Sequence, residues 1–164
     1  MNDARDPELS RAREFALRLL DYRDRSESEL RERLARKGFS PGSADEVLAG
    51  LKRLGLVDDE RFARLWVRSR LSGRPRAGFL LGLELARKGV SRNIIEATLA
   101  ELLPPERERA LAAELARRQA GRYRGDDPET ARRKLWAYLG RRGFRAEQAE
   151  EAIKDIDLNE CTED

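Results

Sequence analysis

Pairs of leucines four residues apart, each followed at a fixed distance by a basic residue and a glycine, recur three times along the chain. The first set is Leu30 and Leu34 with Lys37-Gly38-Phe39. The second is Leu81 and Leu85 with Lys88-Gly89-Val90, and the third is Leu135 and Leu139 with Arg142-Gly143-Phe144. The three glycines are 51 and 54 residues apart. The register continues downstream: Ala44, Val47, Leu48 and Leu51 align with Ile95, Thr98, Leu99 and Leu102, and with Ala149, Ala152, Ile153 and Ile156. These are i, i+3, i+4, i+7 spacings, which place the apolar residues on one helical face. A basic residue in the last turn complements the helix dipole, and a left-handed glycine closes the helix with the next apolar residue folded back on it. Each repeat therefore contains a helix that stops at the glycine and a second amphipathic helix behind it.

Start signals agree with this division. Asp6-Pro7, Ser40-Pro41, Ser91 and Asp127-Pro128 read as helix N-termini, and Ser26 with Glu29 reads as a capping box. The pattern predicts nine helices, at about 7–23, 27–37, 41–54, 59–72, 76–88, 92–103, 105–122, 128–142 and 146–156. No segment shows the period-two alternation of a strand. The predicted fold is all-α: three tandem three-helix, helix-turn-helix-like repeats forming an elongated, bent array. The expected boundaries are 1–56, 57–104 and 105–157, followed by an acidic tail at 158–164. Flexibility is expected at the lightly apolar links 55–58 and 103–106.

Composition narrows the function. Charged residues make up 40% of the 164 positions and aromatics 6%, which suits shallow cores between short helices better than one deep core. There is no histidine, so the commonest general base and metal ligand is missing. The single cysteine, Cys161, allows neither an internal disulfide nor a cysteine-built metal site, and fits a reducing compartment. Adjacent Asp58 and Asp59 open a helix and read as caps rather than as a catalytic pair. The expectation is a cytoplasmic, monomeric binding protein with no cofactor, metal or catalytic residue, and no membrane span.

The net charge is only +3, but it is unevenly spread. Residues 61–92 carry nine basic groups against one acidic, and residues 117–145 carry ten against three. The segments around them are near-neutral or acidic. Such blocks point to a polyanion or to an acidic protein surface. In the first block the candidates are Arg68, Arg70, Arg74, Arg76, Arg87 and Lys88. In the second they are Arg122, Arg124, Arg132, Arg133 and Lys134. Tyr123, between two arginines and flanked by glycines, lies off the apolar stripe and is a candidate for a phosphate-binding loop. Trp66, Trp136 and Tyr138 adjoin core leucines at helical spacing and read as packing residues rather than base-stacking platforms.

Several of these residues together resemble the RecX regulatory proteins. Arg25-Ser26 with Glu29-Leu30 and Lys37-Gly38-Phe39 resembles the first RecX unit. The stretch Leu54-Gly55-Leu56-Val57-Asp58-Asp59-Glu60-Arg61-Phe62-Ala63 resembles the most distinctive part of the family. Glu84-Leu85 with Lys88-Gly89-Val90, and Arg141-Arg142-Gly143-Phe144, match the later units. The resemblance covers about residues 12–156 and implies three tandem three-helix modules. It also implies a partner, the RecA recombinase, whose filament on single-stranded DNA such proteins enter, usually to restrain strand exchange, ATP hydrolysis and the RecA-assisted cleavage behind the SOS response. The stretch Ala77-Gly78-Phe79-Leu80-Leu81-Gly82-Leu83 departs from the family in being apolar and in carrying two glycines, which leaves Phe79 or Leu80 exposed for a partner. The alternative function is nucleic-acid binding independent of RecA, with bare DNA held weakly by the same basic faces.

Overall fold

The structure is a computed structural model that describes residues 6–123 and 125–158. The expected Arg124 contact, Cys161 and most of the acidic tail lie outside the described residues. Nine α-helices are present among the described residues: α1 (Pro7–Tyr22), α2 (Glu27–Lys37), α3 (Pro41–Arg53), α4 (Asp59–Gly73), α5 (Gly78–Arg87), α6 (Arg92–Leu102), α7 (Pro105–Ala120), α8 (Pro128–Arg141) and α9 (Ala146–Lys154). A 3-10 turn, Gly121–Tyr123, follows α7.

The local chemistry is what the repeat predicted. Asp6 accepts from the Glu8 amide at the start of α1, Ser40 from the Ser43 amide, and Asp127 from the Thr130 amide. Ser26 and Glu29 form a reciprocal capping box at α2. The three glycine stops share one geometry. Gly38, Gly89 and Gly143 have φ of 93°, 74° and 86°. The amide of the residue after each one reaches back to a carbonyl five residues earlier: Phe39 to Leu34, Val90 to Leu85 and Phe144 to Leu139, each at 3.2 Å. All six repeat leucines, Leu30, Leu34, Leu81, Leu85, Leu135 and Leu139, are 0% exposed. Burial on this scale is worth roughly 1.5–3 kcal/mol per side chain.

The chain divides into two compact units, Met1–Trp66 with Glu84–Glu96, and Val67–Leu83 with Ala97–Asp164. The division passes through α4, α5 and α6, so the middle repeat contributes residues to both. The core of the first unit joins Leu9, Ala12, Ala16, Leu30, Leu34 and the apolar face of α3, closed by Val57. The core of the second joins Ala77 with the inner faces of α7, α8 and α9 and with Leu158.

Within each unit one repeat is seated on another through the glycine stop. In the first unit the Ser26 hydroxyl donates to the Lys88 carbonyl at 2.5 Å, and a Cβ added to Gly89 would stand 2.2 Å from the Ser28 Cβ. In the second unit the Ala77 amide donates to the Arg142 carbonyl at 2.9 Å, and a Cβ on Gly143 would stand 2.5 Å from the Leu80 Cγ. Around Gly38 a Cβ would meet nothing within 4 Å.

The links are tied rather than loose. The Arg61 guanidinium donates to the carbonyls of Gly55 at 2.9 Å and Leu56 at 3.3 Å, and Arg107 donates to the Leu102 carbonyl at 2.6 Å. The distinctive stretch from Leu54 to Ala63 is therefore structural chemistry. Asp58 caps α4 through the Arg61 amide at 3.0 Å, whereas Asp59 accepts from the Glu27 amide at 2.8 Å and so caps α2 of the preceding repeat. Burial raises the Asp59 carboxyl above its usual range despite that bond.

Candidate nucleic-acid and protein interface

Lys88 and Lys134 carry positive charge that is already engaged. Lys88 Nζ lies 3.0 Å from Glu29 and 4.2 Å from the centre of the Trp66 ring, and its side chain is only 19% exposed. Trp66 stacks with Phe62, and its indole N–H donates to Glu84 at 2.8 Å, so it is a packing residue. Lys134 donates to both Asp126 oxygens at 2.8 and 2.9 Å and sits 5.4 Å from the centre of the Tyr123 ring. Tyr123 itself packs on the core of the second unit, and its hydroxyl accepts from Gln119 at 3.0 Å. The expectation of a tyrosine standing apart from the core is thus corrected. The 3-10 turn after α7 rotates Tyr123 back onto the bundle, which helical spacing could not show.

In the second unit, the C-terminal end of α4 (Leu71 to Gly73), Pro75, the second half of α7 and the end of α8 enclose a groove of about 330 Å³. Arg118, Arg122, Gln119 and Tyr138 line it, facing Ser72 and Gly73. Arg142 fixes one side. Its guanidinium donates to the Pro75 carbonyl at 2.8 Å and lies 4.6 Å from the centre of the Tyr138 ring. These bonds hold the 74–77 segment, and with it Arg74, against α8. The groove therefore joins the middle of the first basic block to the second, 40 or more residues away in sequence. Arg118 is partly balanced by Glu114 at 3.4 Å, while Arg122 is exposed.

The remaining candidates fall into two groups. Arg68, Arg74, Arg132 and Arg133 are exposed residues of the second unit, whereas Arg70 and Arg76 are half-buried and engaged in interactions of their own. Arg87 is exposed on the first unit. The exposed Arg118 and Arg122 guanidinium groups, which line one groove with Tyr138, suit phosphate oxygens or carboxylates. Among the described residues there is no cluster of acidic or cysteine side chains of the kind that holds a metal, and no helix is long and apolar enough to cross a membrane.

Trp136 departs from its sequence reading. It is 46% exposed, although Leu135 beside it is fully buried. One residue is 100° of helix, so Trp136 points away from the stripe that Leu135 and Leu139 define. Phe79 is 64% exposed as expected, but Leu80 is half-buried against Gly143 and is not available in the same way.

Models of the first, second and third three-helix domains of RecX match residues 12–51, 58–99 and 106–153. The chain belongs to the RecX family. Regulatory protein RecX of Amycolatopsis mediterranei (strain U-32) is 37% identical over 145 residues, covering 88% of this chain and 82% of that one. Regulatory protein RecX of Chlorobium phaeobacteroides (strain BS1) is 34% identical over 151 residues, covering 92% and 97%. The crystal structure of RecX from Lactobacillus salivarius superposes with a TM-score of 0.81 at 25% identity, over 92% of this chain and 97% of that one. The chain is accordingly a RecX-type regulator built of three-helix domains and not an enzyme. The RecX-like motif residues Ser26, Glu29, Asp59 and Arg61 all serve caps and repeat contacts, which is why the family signature is legible in the sequence.

Proposed function

We propose that this chain binds RecA and the RecA filament on single-stranded DNA, and that it restrains the recombinase, ATPase and co-protease activities of the filament. It acts in the cytoplasm, as a monomer. The observation that carries the reading is the groove framed by Arg118, Arg122 and Tyr138, with exposed Arg74 on the segment that Arg142 holds, in a chain of the RecX family. Arg68, Arg74, Arg122, Arg132 and Arg133 supply the open charge, with Arg124 two residues beyond Arg122 in the sequence. Arg70, Arg76 and Arg87 add to the field, and Lys88 and Lys134 brace the scaffold. Contacts of this kind to phosphate set affinity and carry no base sequence.

The test is charge reversal at Arg122 and Arg124. Arg122→Glu/Arg124→Glu is expected to weaken filament binding at least tenfold, without changing the thermal melt. Two lost contacts to single-stranded phosphates should also lower the slope of log affinity against log salt by about 1.4. Undiminished inhibition of RecA ATPase by the double variant removes these residues from the proposal. The exposed arginines equally favour a second reading, DNA binding without RecA. Sub-micromolar binding to bare oligonucleotide, unaffected by RecA, selects that reading.

A further inference from the structure

One arginine holds two nearby backbone groups of the segment that leads into α5. The Arg142 guanidinium donates to the Pro75 carbonyl at 2.8 Å, and the Arg142 carbonyl accepts from the Ala77 amide at 2.9 Å. The next amide, that of Gly78, donates to Glu108 of α7 at 2.6 Å. Ala77 is 1% exposed and belongs to the core of the second unit. Arg74 precedes this pinned stretch. It is exposed, and its neighbours Gly73 and Pro75 both line the arginine groove.

Proline fixes its own φ and confines the residue before it, Arg74, to extended backbone. Between Arg74 and the anchored Ala77, the soft torsions left are ψ of Pro75 and the pair at Arg76. The first of these sets the direction of the Pro75 carbonyl, and the Arg142 guanidinium holds that carbonyl. The chain therefore presents Arg74 in a fixed direction before any ligand arrives. A basic residue before a glycine stop ordinarily serves its own helix end. Here the half-buried guanidinium is turned instead to a carbonyl 67 residues away in sequence, and it lies over the Tyr138 ring at 4.6 Å.

We propose that Arg142 is a positioning residue for phosphate binding: it acts through Arg74, which it holds ready at the groove that Arg118 and Arg122 line, and makes no phosphate contact itself. This role rests on the function proposed above and divides the work within that site. A surface whose side chains are already placed loses less freedom on association. Arg142 thus contributes order to the site, while its neighbours contribute the contacting charge.

Arg142→Met keeps an unbranched stem over Tyr138 and removes the donor and the charge. In the full-length variant, hydrogen exchange at the amides of residues 76–78 is expected to quicken by about fivefold or more, with Leu135 and Leu139 exchanging as in the wild type. Affinity for the RecA filament on single-stranded DNA is expected to fall about tenfold. In an Arg74→Ala background the same change is expected to cost less than about twofold, because the group it positions is gone. Equal loss in both backgrounds overturns the proposal, since a phosphate contact by Arg142 or a general loosening of the fold acts whether or not Arg74 is present. Unchanged exchange at 76–78 overturns it as well, by showing that the segment is held without Arg142. Pro75→Gly changes no charge and leaves Arg142 in place, but frees the backbone on either side of the pinned carbonyl. It is expected to lose about fivefold in filament affinity, again only when Arg74 is present. Wild-type affinity in both Arg142→Met and Pro75→Gly overturns the proposal and leaves the proposed function standing. A wild-type chain that ignores the filament altogether removes the proposed function and this role together.

Discussion

Gly89→Ala is expected to destabilise the chain by about 3–5 kcal/mol, several times the effect of the same change at Gly38. Both glycines are left-handed, with φ of 74° and 93°, so each alanine meets the same backbone penalty of roughly 1–2 kcal/mol. The difference is what surrounds them. At Gly38 a Cβ would meet nothing within 4 Å. At Gly89 it would stand 2.2 Å from Ser28 Cβ and 2.3 Å from Ser28 Oγ. A Cβ cannot swing aside without its backbone, so α2 and the end of α5 must part, adding roughly 1–3 kcal/mol of overpacking strain. The bond from Ser26 to the Lys88 carbonyl and the pair of Lys88 with Glu29 lie at the same joint and weaken with it. Gly143→Ala is expected to fall between the two, because its obstacle is the Leu80 side chain, which can rotate. Urea midpoints of the three full-length variants check the order. Ser28→Gly in the Gly89→Ala background should restore the steric part and leave the conformational part. Equal destabilisation at all three glycines would show that only their left-handed geometry matters and that the repeats are not seated on them.

That ranking also marks how far the sequence could be read. The leucine pairs, the glycine stops and the helix starts are local signals, and the nine predicted helices match the observed ones to within a residue or two at most ends. The resemblance to RecX rested on capping and repeat-contact residues, so it was legible for the same local reason. The candidate binding surface was less so, because charge alone does not say what a charge already faces. Lys88 is engaged by Glu29, 59 residues away, and Lys134 by Asp126, across the turn that also folds Tyr123 inward. Neither pairing has a sequence period. Arg142 stood in a basic block, but its ties to Pro75 and Tyr138 appear only once α8 and the 74–77 turn are brought together. For Trp136 a signal did exist. Its place in the repeat is that of Arg31 and Gly82, which are not core positions, and comparing repeats at that register separates it from the buried leucines.

The engagement of Lys88 has a measurable pH consequence through Glu29. Burial alone would raise this carboxyl. Hydrogen bonds from Arg23, Lys88 and the Ser26 amide, together with the Lys88 charge, outweigh burial and hold it at about 2, against an ordinary 4.5. The folded-state value is depressed. The stabilisation is therefore fully present above pH 4.5 and is lost as pH falls from there through about 2. A shift of this size corresponds to at most about 3 kcal/mol. Arg23 is substantially exposed and its share is screened, so about 2 kcal/mol is the expected contribution. Glu29→Gln keeps the length of the side chain and its capping bond to the Ser26 amide while removing the charge. At pH 7 this variant should be less stable than wild type by about 2 kcal/mol, and the gap should close between pH 4.5 and pH 2. Glu27, whose carboxyl is also held low by the Lys52 hydrogen bond, titrates in both proteins and cancels from the difference. Denaturant unfolding of the pair at pH 7, 4 and 2.5 measures it. A gap that persists unchanged at pH 2.5 would mean that the variant disturbs the cap rather than the charge. In that case Lys88 would be free to serve the partner instead of the joint.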